Sequence, residues 1–523
     1  MPALPAAFPT VVHMLQATAA RVPTAIALSV HEAGRRSLVL DYAQYWSAVT
    51  ACAGMLAAAG AGRGSRVALL LPNGVDACIA TYGALAAGAQ CMPLNPAYTD
   101  HELAEILADG APQVLLATAG RAASLAPLAA RLGIPHFRTV APGELAVLDD
   151  GGSGHGPAPP PDPDWPAMLQ YTGGTTGRPK GVDLSHRATA TNVAQREAML
   201  PTRAEGERIL CAMPLFHAYA LAMGLHLAAG CGGHLAILPR YQPDAVLDLV
   251  EREKITLFPG APTMFVGLMA HERFAATDWR TVRLCYSGAA PLPAATLRAW
   301  EAVVGAPVLE GYGQTEAGPV ISFNTEACRR PGSVGLPAPE TEVEIVDAVT
   351  GEGPLPQGQE GEIRVRGPQL MTGYRNRSAE TSEALRGGWL HTGDIGRIDG
   401  DGILFITDRK KDMAIVGGYN VYPREIDEVL AAHPDVAEAA AVPAPDAYRG
   451  EVVRAFVVAR PGAAPEPEAL LAHCRERLTR YKLPASIDIV AELPRTTVGK
   501  TDKRDLRRIA AARYPAEAPK EEA

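Results

Sequence analysis

The run Tyr171-Thr172-Gly173-Gly174-Thr175-Thr176-Gly177-Arg178-Pro179-Lys180-Gly181-Val182 most restricts what this chain can fold into. Glycines admit φ > 0 and let successive N–H groups face an anion, while the threonine hydroxyls and Lys180 add donors and charge. Upstream, Ala167 to Tyr171 reads as a short buried strand; downstream, Ser185 suits the cap of a helix from about His186 to Met199. A phosphate cradle between strand and helix is the functional reading, and a mobile surface loop is the alternative. The spacing is neither that of a P-loop, since Lys180 lies between Pro179 and Gly181, nor that of G-x-G-x-x-G.

Around this stretch the pattern is that of an α/β protein. Val67 to Leu71 and Val114 to Ala117 are apolar runs of strand length, the first ended by Pro72-Asn73-Gly74, and Ala77 to Ala87 reads as an apolar helix. Such alternation points to wound sheets. His155 to Pro166 is too rich in proline for helix or ladder and is expected to be an exposed connector. Cys211 to His217 reads as a strand stopping at Pro214, with His217 near its carboxyl end, where open α/β sheets bind ligands; a satisfied core histidine is the plainer alternative. Turns are expected at Phe258 to Thr263 and Tyr286 to Pro291.

At 523 residues the chain needs two or more domains. A large multi-layer N-terminal domain over 1–407 and a small mobile α+β lid over 408–523 are expected, with a disordered tail from about Tyr514. A net charge of −9, without a basic stripe, argues against nucleic acid as a partner. Cys52, Cys78, Cys91, Cys211, Cys231, Cys285, Cys328 and Cys474 show neither C-x-x-C spacing nor paired histidine ligands, which fits a reducing cytoplasm. No secretory signal stands in the first thirty residues. Ile209 to Leu238 is uncharged, but Pro214 and Gly232-Gly233 break it, so it is expected to be buried rather than membrane-spanning.

Letter by letter, YTGGTTGRPKG closely resembles the signature of the adenylate-forming superfamily that includes acyl-CoA synthetases, luciferases and adenylation domains. The resemblance extends from about Thr10 to Arg508 with further motifs in order. GYGQTE, Gly311 to Glu316, is the expected partner of the first loop: Tyr312 can stack on adenine and Glu316 can supply a hard oxygen to Mg2+. By resemblance, Thr172 to Gly177 and Lys180 hold ATP with Gly311, Tyr312, Gly313, Gln314 and Thr315; Gly288, Ala289 and Ala290 wall the adenine; Thr175 joins Glu316 at the metal.

The same resemblance implies that Asp394, read as standing in a tight glycine-bounded turn, accepts from the ribose hydroxyls. It makes Arg409 a ribose or phosphate contact and Asp408 the hinge of the lid. Lys500 would bridge the substrate carboxylate and the α-phosphate, and Gly417, Gly418 and Tyr419 would line the path of CoA. Tyr219, Gly260, Met264, Gly313 and Val320 are expected around the acid, with Leu221 and Ile321 adding apolar surface and His217 gating thiol access. Lys503, Arg504, Arg507 and Arg508 can hold CoA phosphates or simply form a solvated helix face. Gly311 stands where malonate-type relatives carry arginine, which favours a neutral tail.

These features imply an AMP-forming acyl-CoA synthetase using ATP, Mg2+ and CoA on a carboxylic acid, with a medium- or long-chain fatty acid favoured. GYGQTEAGPVISFN and DRKKDMAIVGGYNVYPREIDEVL look most like fatty acyl-CoA synthetases. An acyl-AMP ligase loading a carrier protein and a nucleotide-binding pseudoenzyme are the alternatives. No long insertion lies between Val343 and Gly367, which favours CoA as acceptor, and no carrier-protein segment follows the last motif. Chain length, a homodimer and the pathway stay open.

Overall fold

The computed structural model describes residues 8–32, 35–148, 161–172, 179–204, 206–416, 419–446, 449–496 and 500–514. Gly173, Gly174, Thr175, Thr176, Gly177, Gly417 and Gly418 therefore lie outside the described residues, as do most of the proline-rich connector, the end of the tail and the side chain of Tyr419. The chain is mixed α/β and divides into two compact units. The larger comprises Met1–Leu292, Leu297–Glu342 and Val365–Leu390; the smaller comprises Pro293–Thr296, Val343–Arg364 and His391–Ala523.

Two wound sheets build the larger unit. In one of seven strands, Arg66–Leu70 pairs in parallel with Gln90–Pro93 and with Val114–Thr118, and all three are apolar runs because helices cover such strands on both faces. The nine-stranded sheet carries the parallel series Arg208–Cys211, Leu257–Gly260, Leu284–Ser287 and Val308–Gly313. Behind Leu257–Gly260 an aromatic stack fixes the wall: Phe265 and Trp300 centroids stand 4.6 Å apart at 84°, and Phe258 and Trp300 are 5.4 Å apart. Each such pair contributes about 0.5–1.5 kcal/mol beyond its buried area.

One reading of the glycine-rich stretch is corrected. It is followed not by the helix but by a strand, Lys180–Ser185, which pairs antiparallel with Pro166–Thr172, Thr172 opposite Lys180. The loop thus joins two strands of a hairpin. Ser185 does cap the helix His186–Met199, its Oγ accepting from Ala188 N at 3.1 Å. Ile209 to Leu238 is largely buried, as expected, with Pro214 exposed and Phe216 and His217 half-buried. The preceding strand, Arg208–Cys211, ends before Pro214, because the next backbone groups bond Asn73 instead of a ladder: Leu215 N donates to its Oδ1 at 2.8 Å and its Nδ2 donates to Met213 O at 2.9 Å.

The smaller unit contains a four-stranded sheet, Glu342–Val346, Gly361–Arg366, Leu390–Ile398 and Leu404–Arg409. It also contains a five-stranded sheet centred on Gly450–Ala459, packed with the helices Pro423–Ala431, Pro467–Arg475 and Lys503–Arg513. Among the described residues no helix is long and apolar enough to cross a membrane. Seven of the eight cysteines are buried and all are free, each buried thiol pushed up by burial, Cys285 to about 12.

Candidate active site

In the larger unit the segment Met371 to Asn376 straps two motifs together. Met371 N donates to Glu316 O at 2.8 Å, Thr372 N to Asp183 O at 2.9 Å and Arg375 N to Gly181 O at 2.8 Å. The two-residue strand Gly373–Tyr374 pairs with Asp183 and Val182. The strap is anchored at its far end, where Arg375 Nε donates to Asp109 O at 3.0 Å, while Asp109 Oδ2 accepts from Tyr171 Oη at 2.7 Å. Tyr374 is the residue that touches both motifs. Its Oη donates to Glu316 Oε1 at 2.9 Å, and Lys180 Nζ stands 5.0 Å from its ring centroid. Burial first, then the Glu316 carboxylate, holds the phenol above its ordinary range, so it remains a donor.

Glu316 sits on the 3-10 turn Thr315–Ala317, half-buried. Among the described residues no three His, Cys, Asp or Glu groups could hold a metal as a protein cage. One hard carboxylate nevertheless fits Mg2+, which keeps most of its waters and takes further oxygens from phosphates.

Close packing explains the glycines. A Cβ at Gly313 would stand 1.9 Å from Pro319 O, and one at Gly311 would stand 2.2 to 2.5 Å from the Phe323 ring. A Cβ at Gly288 would lie 3.0 Å from the Tyr219 ring, and one at Gly260 would meet Phe265 and Phe258 at 3.2 and 3.3 Å. Ala289 holds φ +70°, a left-handed value that costs alanine about 1–2 kcal/mol. Tyr312 and Gln314 are half-buried, and Gln314 Nε2 has no partner among the described residues.

Around the expected acid pocket, His217 is half-buried and caps the short helix Ala218–Ala220, its Nδ1 accepting from Tyr219 N at 3.2 Å. Tyr219 is buried and its Oη has no partner among the described residues; burial pushes the phenol well up. Met264 and Val320 are buried. Both backbone polar groups of Val320 are held by Asn192, whose Nδ2 donates to the carbonyl at 2.8 Å and whose Oδ1 accepts the N–H at 3.0 Å. Neither Asn192 nor Tyr374 was singled out from the sequence; their partners are distant in the chain, and no local pattern announces them.

In the smaller unit, Asp394 lies inside the strand Leu390–Ile398 rather than in a turn. Gly393, at φ +69°, and a register shift after Ile395 absorb the irregularity that two glycines suggested. Asp394 N donates to Thr392 Oγ1 at 3.1 Å, and Arg409 Nε is 3.6 Å from Asp394 Oδ1. The buried Glu362 supports this edge: its Oε2 is 3.0 Å from Lys410 Nζ, and its Oε1 accepts from Gly393 N at 3.3 Å. Asp408 is buried, accepting from Arg409 N at 2.7 Å and from Arg424 N at 2.9 Å. Burial raises its pKa. Lys500 closes a turn with Thr496, whose N donates to Lys500 O at 2.7 Å. Its ammonium is pushed down to about 8 by burial, then by Arg409, with Asp394 opposing.

The basic helix is solvated in part: Arg504 and Arg508 are exposed, whereas Lys503 and Arg507 are half-buried. Lys503 is paired with the Asp427 carboxylate at 2.9 Å and Arg507 with Asp412, while Arg508 bonds the neighbouring Asp505 at 2.7 Å.

Residues 15–375 match the model of a family described as AMP-binding enzyme, and residues 425–500 match one described as AMP-binding enzyme C-terminal domain. A long-chain-fatty-acid–CoA ligase from Bacillus subtilis (strain 168) is 37% identical over 537 residues, covering 96% of this chain and 95% of that protein. A feruloyl-CoA synthase from an Amycolatopsis species is 39% identical over 472 residues, covering 90% and 94%. The crystal structure of ATP-bound MatB from Rhodopseudomonas palustris superposes with a TM-score of 0.88 at 32% identity, covering 96% of this chain and 99% of that one.

Proposed function

This chain belongs to the AMP-binding enzyme family and is an AMP-forming acid–thiol ligase, and on that premise we propose that it converts a medium- or long-chain fatty acid to its CoA thioester through an acyl-adenylate. A carboxylate is a poor electrophile, because its charge is delocalised and its leaving group would be oxide. In the proposed first step a carboxylate oxygen bonds to the α-phosphorus of ATP, the α–β phosphoanhydride bond breaks and pyrophosphate leaves. In the second, the CoA sulfur bonds to the acyl carbon, the bond from that carbon to the phosphate oxygen breaks, AMP departs and the thiol proton passes to solvent.

Lys180 and Lys500 offset negative charge on the phosphates as the in-line transition state forms. Mg2+, when bound, supplies further charge neutralisation, with Glu316 and Thr175 as the residues that would hold it. Tyr312 faces the adenine, with Gly288, Ala289 and Ala290 as its wall, and Asp394 and Arg409 take the ribose. The thiol path is assigned to Gly417, Gly418 and Tyr419 by resemblance alone, and the hinge of the lid to Asp408. Tyr219, Gly260, Met264, Gly313 and Val320 surround the acid, with His217 at the mouth.

The observation that carries this reading is the meeting of Lys180 and Glu316, from two separate motifs, on the one side chain of Tyr374. The buried apolar residues Met264 and Val320 and the bare Gly311 support a neutral tail. A second reading, an aromatic acid, is favoured by the Tyr219 hydroxyl, which has no partner among the described residues, and by the similarity to a feruloyl-CoA synthase. Pyrophosphate release across a panel of aliphatic and aromatic acids, with and without CoA and with mass detection of the thioester, tests both. Release independent of any acid would sink the proposal; acid-dependent release without thioester would turn it towards a carrier protein as acceptor.

A further inference from the structure

We propose that Tyr374 is a positioning residue for the cation held at the nucleotide, acting through the Glu316 carboxylate; this rests on the adenylation reading above. Tyr374 lies outside both nucleotide motifs, 58 residues from Glu316 along the chain. Its hydroxyl spends its single proton on Glu316 Oε1 at 2.9 Å. A carboxylate with one oxygen held by a fixed donor loses free rotation about its Cγ–Cδ bond, so the phenol contributes to the direction in which the carboxylate is presented.

The phenol is itself fixed from three sides. Tyr374 N donates to Thr381 Oγ1 at 2.9 Å, and its strand pairs with Val182. Met371 N, three residues earlier, holds the Glu316 carbonyl at 2.8 Å. Carboxylate and phenol are therefore carried on one strap, whose position follows the strand that begins with Lys180. The ring presents its face to the Lys180 ammonium at 5.0 Å, a distance at which the aromatic quadrupole attracts a cation. One side chain thus sets the spacing between the positive charge and the metal-binding carboxylate, which a triphosphate with its cation must match.

Tyr374→Phe separates these roles, since it keeps the ring under Lys180 and removes only the donor. The measurement is Mn2+ binding by the full-length protein with ATP, followed by the loss of the free Mn2+ spin-resonance signal. A charged hydrogen bond of this kind predicts an approximately tenfold rise in the Mn2+ dissociation constant. The Mg2+ KM for pyrophosphate release should rise alongside, with the KM for the acid and the thermal midpoint unchanged. In Glu316→Gln, adding Tyr374→Phe should have no further effect on Mn2+ binding, because the phenol acts through that carboxylate. Unchanged Mn2+ affinity in Tyr374→Phe overturns the inference, as does additivity of the two substitutions or a fall in thermal midpoint without a change in affinity. If the unaltered protein binds no Mn2+ with ATP, both this inference and the reading beneath it fail. If it binds Mn2+ but no acid elicits pyrophosphate, only the adenylation reading fails, and the Mn2+ shift still decides the role of Tyr374.

Discussion

Arg409 Nε stands 3.6 Å from Asp394 Oδ1, and this pair forms the charged surroundings of Lys500. Burial pushes the Lys500 ammonium down to about 8 from 10.5; Arg409 lowers it further and Asp394 raises it. Because the folded value lies below the unfolded one, the charged lysine destabilises the fold below about pH 8, and that cost fades between about 8 and 10.5. If Lys500 must be charged to offset the phosphates, acid-dependent pyrophosphate release should fall on an alkaline limb near pH 8. Arg409→Gln removes a repulsion and should move the limb upward, while Asp394→Asn should move it downward, whatever either does to the maximal rate. A pH profile of the first half-reaction reads both. Limbs moving in the same direction would exclude Lys500 as the titrating group.

Lys503 and Asp427 make a half-buried pair in the smaller unit, 2.9 Å apart, with the Asp427 carboxyl pushed up to about 6 by burial against the pull of Lys503. Removing one partner of such a pair strands the other charge. Lys503→Met should therefore destabilise this unit by about 1–3 kcal/mol, whereas Lys503→Met with Asp427→Leu should recover much of the loss. Amide exchange in Gly450–Ala459, the central strand of that unit's five-stranded sheet, is the measurement. Equal protection in the single and double variants would show that the pair contributes packing rather than charge balance.

The parts of the fold that were legible without coordinates are those fixed by short-range pattern. Apolar runs such as Val67 to Leu71 and Val114 to Ala117 read as buried strands, because runs of four or five apolar side chains between Gly and Pro breakers are too short for a buried helix. The hairpin strand Lys180–Ser185 was missed: it mixes Lys, Gly, Asp and Ser, and only pairing with Pro166–Thr172 makes it extended. Asp394 was assigned to a turn for a similar reason, since a positive-φ glycine serves a strand irregularity as readily as a turn. Motif residues could be picked out by type and order, but Tyr374, Asn192 and Glu362 could not, because each matters only through a partner far along the chain.

Gly311 and Gly313 exclude a side chain for different reasons, and substitution should separate them. A Cβ at Gly311 meets the Phe323 ring, which is part of a side chain; one at Gly313 meets Pro319 O, which is backbone. Gly311→Ala should cost about 1–3 kcal/mol as overpacking and be largely restored by Phe323→Leu. No side-chain substitution should restore Gly313→Ala, since the strand pairing that holds Pro319 beside Gln314 would have to move. Thermal inactivation of the four variants, scored together with soluble yield, distinguishes the two. Rescue of Gly313→Ala by Phe323→Leu would contradict this packing.

Tyr219 offers the sharpest test of what the proposed acid pocket accepts. Its Oη is buried without an acceptor or donor among the described residues, although its ring packs on Gly288 and burial keeps the phenol protonated. An unsatisfied buried hydroxyl carries a desolvation penalty of about 1–3 kcal/mol, so Tyr219→Phe should leave stability unchanged or raise it, unlike most substitutions of a buried polar group. What it should change is the ranking of substrates. If the tail is purely aliphatic, kcat/KM rises slightly or holds for every fatty acid, because no bond is lost and the wall becomes less polar. If the natural acid carries an oxygen that meets this hydroxyl, kcat/KM for that acid falls about tenfold or more, while fatty acids are unaffected, because a pocket built to bond an oxygen discriminates strongly once its partner group is removed. The same panel of acids, run on both proteins, gives opposite orders for the two cases. A uniform loss across the panel would mean instead that the hydroxyl supports the wall itself.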